Sequence, residues 1–324
     1  MSDSSPQPER SSAGAPTRAS APAPAWRATL PLDAAFVLLW NSGFIGAEFG
    51  LPYTGPFTLL FWRYLALTVV LAAWLAATRR FVRTSPAAVA RTALLGVLAH
   101  GVWLGCVLLA IDLDAPVGII ALVTALQPLL TGALARPVTG EPTSPGQWLG
   151  LVLGFLGVAV AVGWRLSNDA ETPALAYLLP FGSVLGITAA SLLKRRWATR
   201  GIQAELPMDA TLFYQSLAVT LAVLAPAWLA EGFRTDWTPP FIATMTWLVL
   251  AVSLGAYWIM WRLLQKRPAT HVASLFYLSP PVTMLMAYAA FNDPITPTDL
   301  LGLAITATGV YLVHRHTKPN PPTD

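Results

Sequence analysis

Charge is scarce in this sequence. Asp, Glu, Lys and Arg make up 11% of its 324 residues, while 55% are hydrophobic and the mean hydropathy is +0.57. Soluble domains carry about 25% charged residues, so too little polar surface remains here to wet a globule. That excludes a soluble enzyme, a nucleic-acid-binding domain and a disordered scaffold. The single cysteine, Cys106, excludes a disulfide framework, and four scattered histidines exclude a zinc site. No G-x-x-x-x-G-K-[ST] loop is present to bind ATP, and no H-E-x-x-H to hold a catalytic metal. No catalytic set, metal or cofactor is therefore expected, and no nucleic-acid partner.

The apolar residues sit in blocks of about 20, the length that crosses about 30 Å of hydrocarbon. Ten blocks run roughly over 32–51, 56–77, 92–111, 115–135, 147–164, 174–193, 209–229, 241–261, 269–291 and 299–314. Residues 1–30 are Ser, Ala, Pro and Arg without an apolar run, which reads as a disordered tail, and 316–324 as a second tail. With the N-terminus inside, 17 of the 20 Lys and Arg residues fall on the cytoplasmic side, including Arg79, Arg80, Lys194, Arg195 and Arg196. The positive-inside rule then predicts an all-α polytopic membrane protein of ten transmembrane helices with both termini cytoplasmic.

The chain also repeats itself. Shifted by 152 residues, 116–158 aligns with 268–310 without a gap, and 13 of 43 positions are identical. The matches include Pro116/Pro268, Pro128/Pro280, Pro142/Pro294, Pro145/Pro297, Gly150/Gly302 and Gly157/Gly309. The copies start at blocks four and nine, an odd number of crossings apart, so the second copy lies upside down. Two inverted five-helix repeats, 31–165 and 173–315, suit alternating access around a midplane site.

At this point the sequence resembles the drug/metabolite transporter superfamily, specifically its EamA-type members. The resemblance is carried by Trp40-Asn41-Ser42-Gly43-Phe44, Phe61-Trp62-Arg63-Tyr64, Ala121-x₅-Gln127-Pro128 and Gly140-Glu141-Pro142. Gln147-x₂-Gly150-x₆-Gly157-Val158, Leu278-Ser279-Pro280-Pro281, Asp293-Pro294 and Gly302-x₆-Gly309-Val310 complete it. It implies a secondary transporter in a bacterial inner membrane, often an exporter of amino acids or related metabolites. It also implies a central cavity lined by helices 1, 3, 4, 6, 8 and 9. The expected partners are a small-molecule substrate and the lipid bilayer, with monomer or homodimer left open.

A rise of 1.5 Å per residue places Asn41, His100, Gln127, Ser183, Ser253 and Ser279 at roughly 12–18 Å depth, near the midplane. Trp40, Trp103, Tyr257 and Tyr277 share that level. A buried amide or imidazole in hydrocarbon must face the interior. The layer therefore reads as a substrate site: polar groups for polar ends, aromatic faces for an apolar body or a cation. Interhelical hydrogen bonding is the competing reading, and for any one Ser it is the stronger.

Glu48 and Arg63 are intramembrane charges of opposite sign at similar depth, expected to pair as a structural bridge or outer gate. Pro128 and Pro280 fall mid-helix and are expected to break blocks four and nine symmetrically. His271 is expected in solvent near the cytoplasmic face. Gly150, Gly154, Gly157 and Gly309 read as close-packing surfaces, within one chain or between two. Two other readings stay open: an intramembrane enzyme using His100 with Glu48, and a non-transporting scaffold or receptor.

Overall fold

In hydrocarbon every backbone N–H and C=O must be satisfied within the chain, which leaves helices as the natural form of each apolar block. The computed structural model describes residues 30–81, 84–135, 138, 144–202, 206–267 and 269–316. Among them there is no strand, only an isolated bridge between Thr54 and Thr235. The two expected tails (Leu30 and His316 apart), Arg136, Pro268 and the Gly140-Glu141-Pro142 link lie outside the described residues.

The helices are α1 (Leu30–Gly50), α2 (Pro56–Ala77), α3 (Pro86–Asp112), α4 (Val117–Ala133) and α5 (Pro145–Asn168). They continue with α6 (Ala174–Thr199), α7 (Met208–Leu229), α8 (Pro239–Lys266), α9 (His271–Phe291) and α10 (Pro297–His316). Eight of these, all but α4 and α10, are long and apolar enough to cross a membrane. Several begin earlier than the apolar blocks because a cap and a proline start them. Ser85 accepts from Ala88 N and Thr238 from Phe241 N, each followed by proline at the first helical position.

The 152-residue offset reappears in local structure. Ser144 and Gln147 form a reciprocal capping box at the start of α5. Thr296 and Asp299, at the same offset, form another at the start of α10. α4 is interrupted at Ala125–Leu126, just before Pro128, and α9 carries a 3₁₀ turn at Phe276–Leu278, just before Pro280. Each proline sits in the first turn of the resumed helix, where its missing N–H costs nothing. α3 and α8 each contain a π-helical stretch, Val97–Val102 and Trp247–Ala256.

Between helices in a membrane, close packing and hydrogen bonds do the work that water does elsewhere. α5 and α10 meet backbone to backbone. A Cβ on Gly157 would lie 2.5 Å from the Gly302 carbonyl oxygen, and one on Gly309 would lie 2.7 Å from Gly154 N. The glycine surfaces therefore close within one chain. At the end of α5, Arg165 Nη2 reaches Asp299 Oδ2 at 2.7 Å and the Pro294 carbonyl at 2.9 Å, locking the pair. α2 is held at its start by Glu231, whose carboxylate accepts from Phe57 N and Thr58 N at 2.9 and 2.7 Å. His271 is not free in solvent as expected: its Nε2 lies 3.2 Å from Asp33 Oδ1, tying α9 to α1.

Candidate functional site

α1, α2, α3, α7 and α8 line a cavity whose empty volume, open solvent included, is about 680 Å³. Helical periodicity selects the lining. α1 contributes Trp40, Gly43, Phe44 and Ala47, and α3 contributes His100, Trp103, Leu104, Val107 and Leu108, each set along one helical face. α2 adds Arg63, Tyr64 and Leu67, α7 adds Leu212, Gln215 and Ser216, and α8 adds Val252, Ser253 and Tyr257. His100 and Ser253 stand within the two π stretches, and wide turns of this kind concentrate at functional sites.

The polar lining is tied into two short networks. Arg63 is 6% exposed, and its Nε and Nη2 donate to Ser253 Oγ at 3.2 and 3.0 Å. His100 Nε2 lies 3.3 Å from Gln215 Oε1, and the Tyr257 hydroxyl lies 3.5 Å from His100 Nδ1. A neutral imidazole satisfies both contacts, donating from Nε2 to Gln215 and accepting at Nδ1 from Tyr257. Aromatic rings wall the space. Trp40 stacks on Trp103 with centroids 6.1 Å apart and tilts against Tyr257 at 5.7 Å.

Of the residues expected at the midplane, Trp40, His100, Trp103, Ser253 and Tyr257 come together here, and Arg63 joins them. The others do not. Asn41 is 1% exposed, donates to Val37 O and accepts from the Thr283 hydroxyl at 3.0 Å, so it joins α1 to α9. Gln127 donates to Thr131 Oγ1 on its own helix, and Ser183 donates to Pro180 O. Tyr277 packs against the core formed by α4, α5, α6, α9 and α10, and Ser279 opens the second half of α9. α4, α6 and α9 thus leave the lining, and α2 and α7 replace them.

The expected Glu48–Arg63 pair is not formed. Ser253 takes the guanidinium, while Glu48 Oε2 is sealed in without a hydrogen-bond partner. Glu48 is also absent from the cavity lining, which removes the acid partner that the enzyme reading gave His100. Tyr64, Gln215 and Ser216 were missed. Gln215 carried a usable signal, a lone amide well inside the apolar block 209–229.

An apolar helical protein with a cavity of polar and aromatic side chains among its helices has the build of a membrane transporter. The EamA-like transporter family model matches residues 32–163 and again 174–315, and the chain belongs to that family. It is a membrane transporter. An uncharacterized transporter of Archaeoglobus fulgidus is 27% identical over 282 residues, spanning 85% of this chain and 93% of that one. The uncharacterized inner membrane transporter YedA of Escherichia coli is 25% identical, spanning 89% and 92%. A probable terminal-alkyne amino-acid exporter of Streptantibioticus cattleyicolor is 27% identical, spanning 64% and 67%. A crystal structure covering 89% of this chain and 97% of its own superposes with a TM-score of 0.59 at 19% identity, a likeness of fold.

Proposed function

We propose that this protein is a secondary transporter that exports amino acids or related small metabolites by alternating access. Ten crossings, arranged as two inverted five-helix repeats with both termini in the cytoplasm of a bacterial inner membrane, form its frame. One observation carries the reading: the cavity lies where the halves meet. α1, α2 and α3 come from the first repeat, and α7 and α8 from the second. A site shared by two halves changes its access when the halves rock. Support for the repeat comes from the double family match, the paired capping boxes, the paired proline breaks and the paired π stretches.

The test is flux without chemistry. Purified protein in liposomes preloaded with unlabelled amino acids is expected to accumulate external radiolabelled amino acid by counterflow. Trp103→Ala is expected to reduce that uptake several-fold while the protein still inserts. Recovery of a chemically altered label would establish an enzyme instead. Protein that binds amino acids yet moves none would be a receptor.

A further inference from the structure

Among the described residues, Arg63 is the one formally charged residue in the cavity lining. A guanidinium keeps its proton, and an ion held in hydrocarbon without a counter-charge costs several kcal/mol. Among the described residues no carboxylate lies within ion-pair distance of Arg63, and its partner Ser253 is neutral. Nη1 makes no hydrogen bond to a described residue, and Arg63 lines the cavity. One edge of the planar fork is thus occupied by Ser253 while the Nη1–Nη2 edge remains, and that edge matches a carboxylate bidentately.

We propose that Arg63 anchors a carboxylate of the transported molecule, so that the cavity takes free acids and zwitterions and rejects their amides and amines. The proposal rests on the transporter reading and names the chemistry its substrate carries. It explains the rest of the lining. Among the described lining residues there is no Asp or Glu to receive an ammonium, which instead meets the aromatic residues Trp40, Trp103, Tyr64 and Tyr257. A ligand that is only cationic meets Arg63 with nothing to offset the repulsion. A carboxylate supplies the missing counter-charge, and the pair forms only while the site is filled.

The experiment is a thermal-shift titration of the purified full-length protein. The probes are L-alanine, L-leucine, L-phenylalanine and L-tryptophan, each beside its amide and its decarboxylated amine. At least one free acid is expected to raise the unfolding temperature saturably, with its amide and amine weaker by about 10- to 100-fold, the range for a charge-assisted hydrogen bond. Arg63→Gln is expected to erase that preference. Arg63→Lys retains it at roughly 10-fold lower affinity, since an ammonium cannot fork. Ser253→Ala keeps the preference, because it removes the bridge and not the charge. If Arg63→Gln does not fold, the Arg63→Lys titration decides in its place. Amides or amines binding as tightly as acids would overturn the proposal. So would a preference that survives Arg63→Gln or does not weaken in Arg63→Lys, and so would the failure of every free acid at millimolar concentration. The two readings fail differently. Acid-selective, Arg63-dependent binding without counterflow sinks the transporter reading and keeps the anchor. Counterflow indifferent to the carboxylate sinks the anchor and keeps the transporter.

Discussion

The glycine seam between α5 and α10 predicts opposite signs for one substitution at two places on one helix. At Gly157 an added Cβ would lie 2.5 Å from the Gly302 carbonyl oxygen and 2.6 Å from Thr306 N. Ordinary heavy-atom contact begins near 3.5 Å, so the two backbones must part by roughly 1 Å. Both are helical backbone and cannot rotate aside as a side chain would. Gly157→Ala gains about 0.5–1 kcal/mol of helix propensity and loses about 1–3 kcal/mol to overpacking. The net is a destabilisation of about 1–2 kcal/mol. At Gly163, six residues further along α5, nothing lies within 4 Å of the built Cβ. Gly163→Ala therefore keeps the propensity gain and is stabilising by up to about 1 kcal/mol. Melting curves in detergent are expected to show Tm falling by roughly 2–8 °C for the first variant and rising by a few degrees for the second. Equal shifts of the same sign would refute the close approach.

Other outcomes follow from individual contacts. Asp299→Asn leaves Arg165, 12% exposed, without its carboxylate, and is expected to cost about 3 kcal/mol or more, with Arg165→Met/Asp299→Leu recovering part of it while the cap on Thr296 N stays lost. Strictly additive losses would argue against a coupled pair. Asn41→Ala strands the Thr283 hydroxyl and is expected to lower stability by about 1–3 kcal/mol, with Thr283→Val added to it restoring part. Unchanged melting would return Asn41 to the list of substrate ligands. The Asp169 carboxyl is held below the usual carboxylate range by hydrogen bonds from Thr172 first and Tyr177 next. Its contribution is therefore full above the unfolded pKa and is lost as pH falls through the lower folded one, so Asp169→Asn should flatten the acid limb of the stability profile. Superimposable profiles down to the acid limit would count against it. With Cys106 replaced, a cysteine at Arg80 or Arg196 should react with an impermeant reagent only from the cytoplasmic side, and labelling from outside would reverse the topology.

Composition and repetition made the helical fold readable, because membrane insertion depends on run length and charge placement, both linear properties of the chain. The site was half readable for a specific reason. Counting residues at 1.5 Å each gives depth, and depth brought Trp40, His100, Trp103, Ser253 and Tyr257 to one level. Depth carries no azimuth. Asn41 sits beside Trp40 in sequence but is turned about 100° around α1, toward Thr283 and away from the cavity. Glu48 and Arg63 matched in estimated depth for the same reason and still do not pair: Arg63 Nε and Nη2 donate to Ser253 instead. Gln215, a lone amide inside the apolar block 209–229, was passed over because α4, α6 and α9 were expected to line the space.

The π stretches in α3 and α8 hold slack. A π turn winds an extra residue into each loop of the helix, with backbone bonds reaching five residues instead of four. Such a turn is a loop of rope already paid out between fixed ends. Tightening Val97–Val102 to ordinary α geometry would swing Trp103 around the axis relative to the residues before the stretch. Doing the same within Trp247–Ala256 would swing Tyr257. In neither case need the capped starts at Ser85 and Thr238 be undone. A change of winding confined to these stretches would therefore act on the cavity walls and leave the capped starts of both helices out of it.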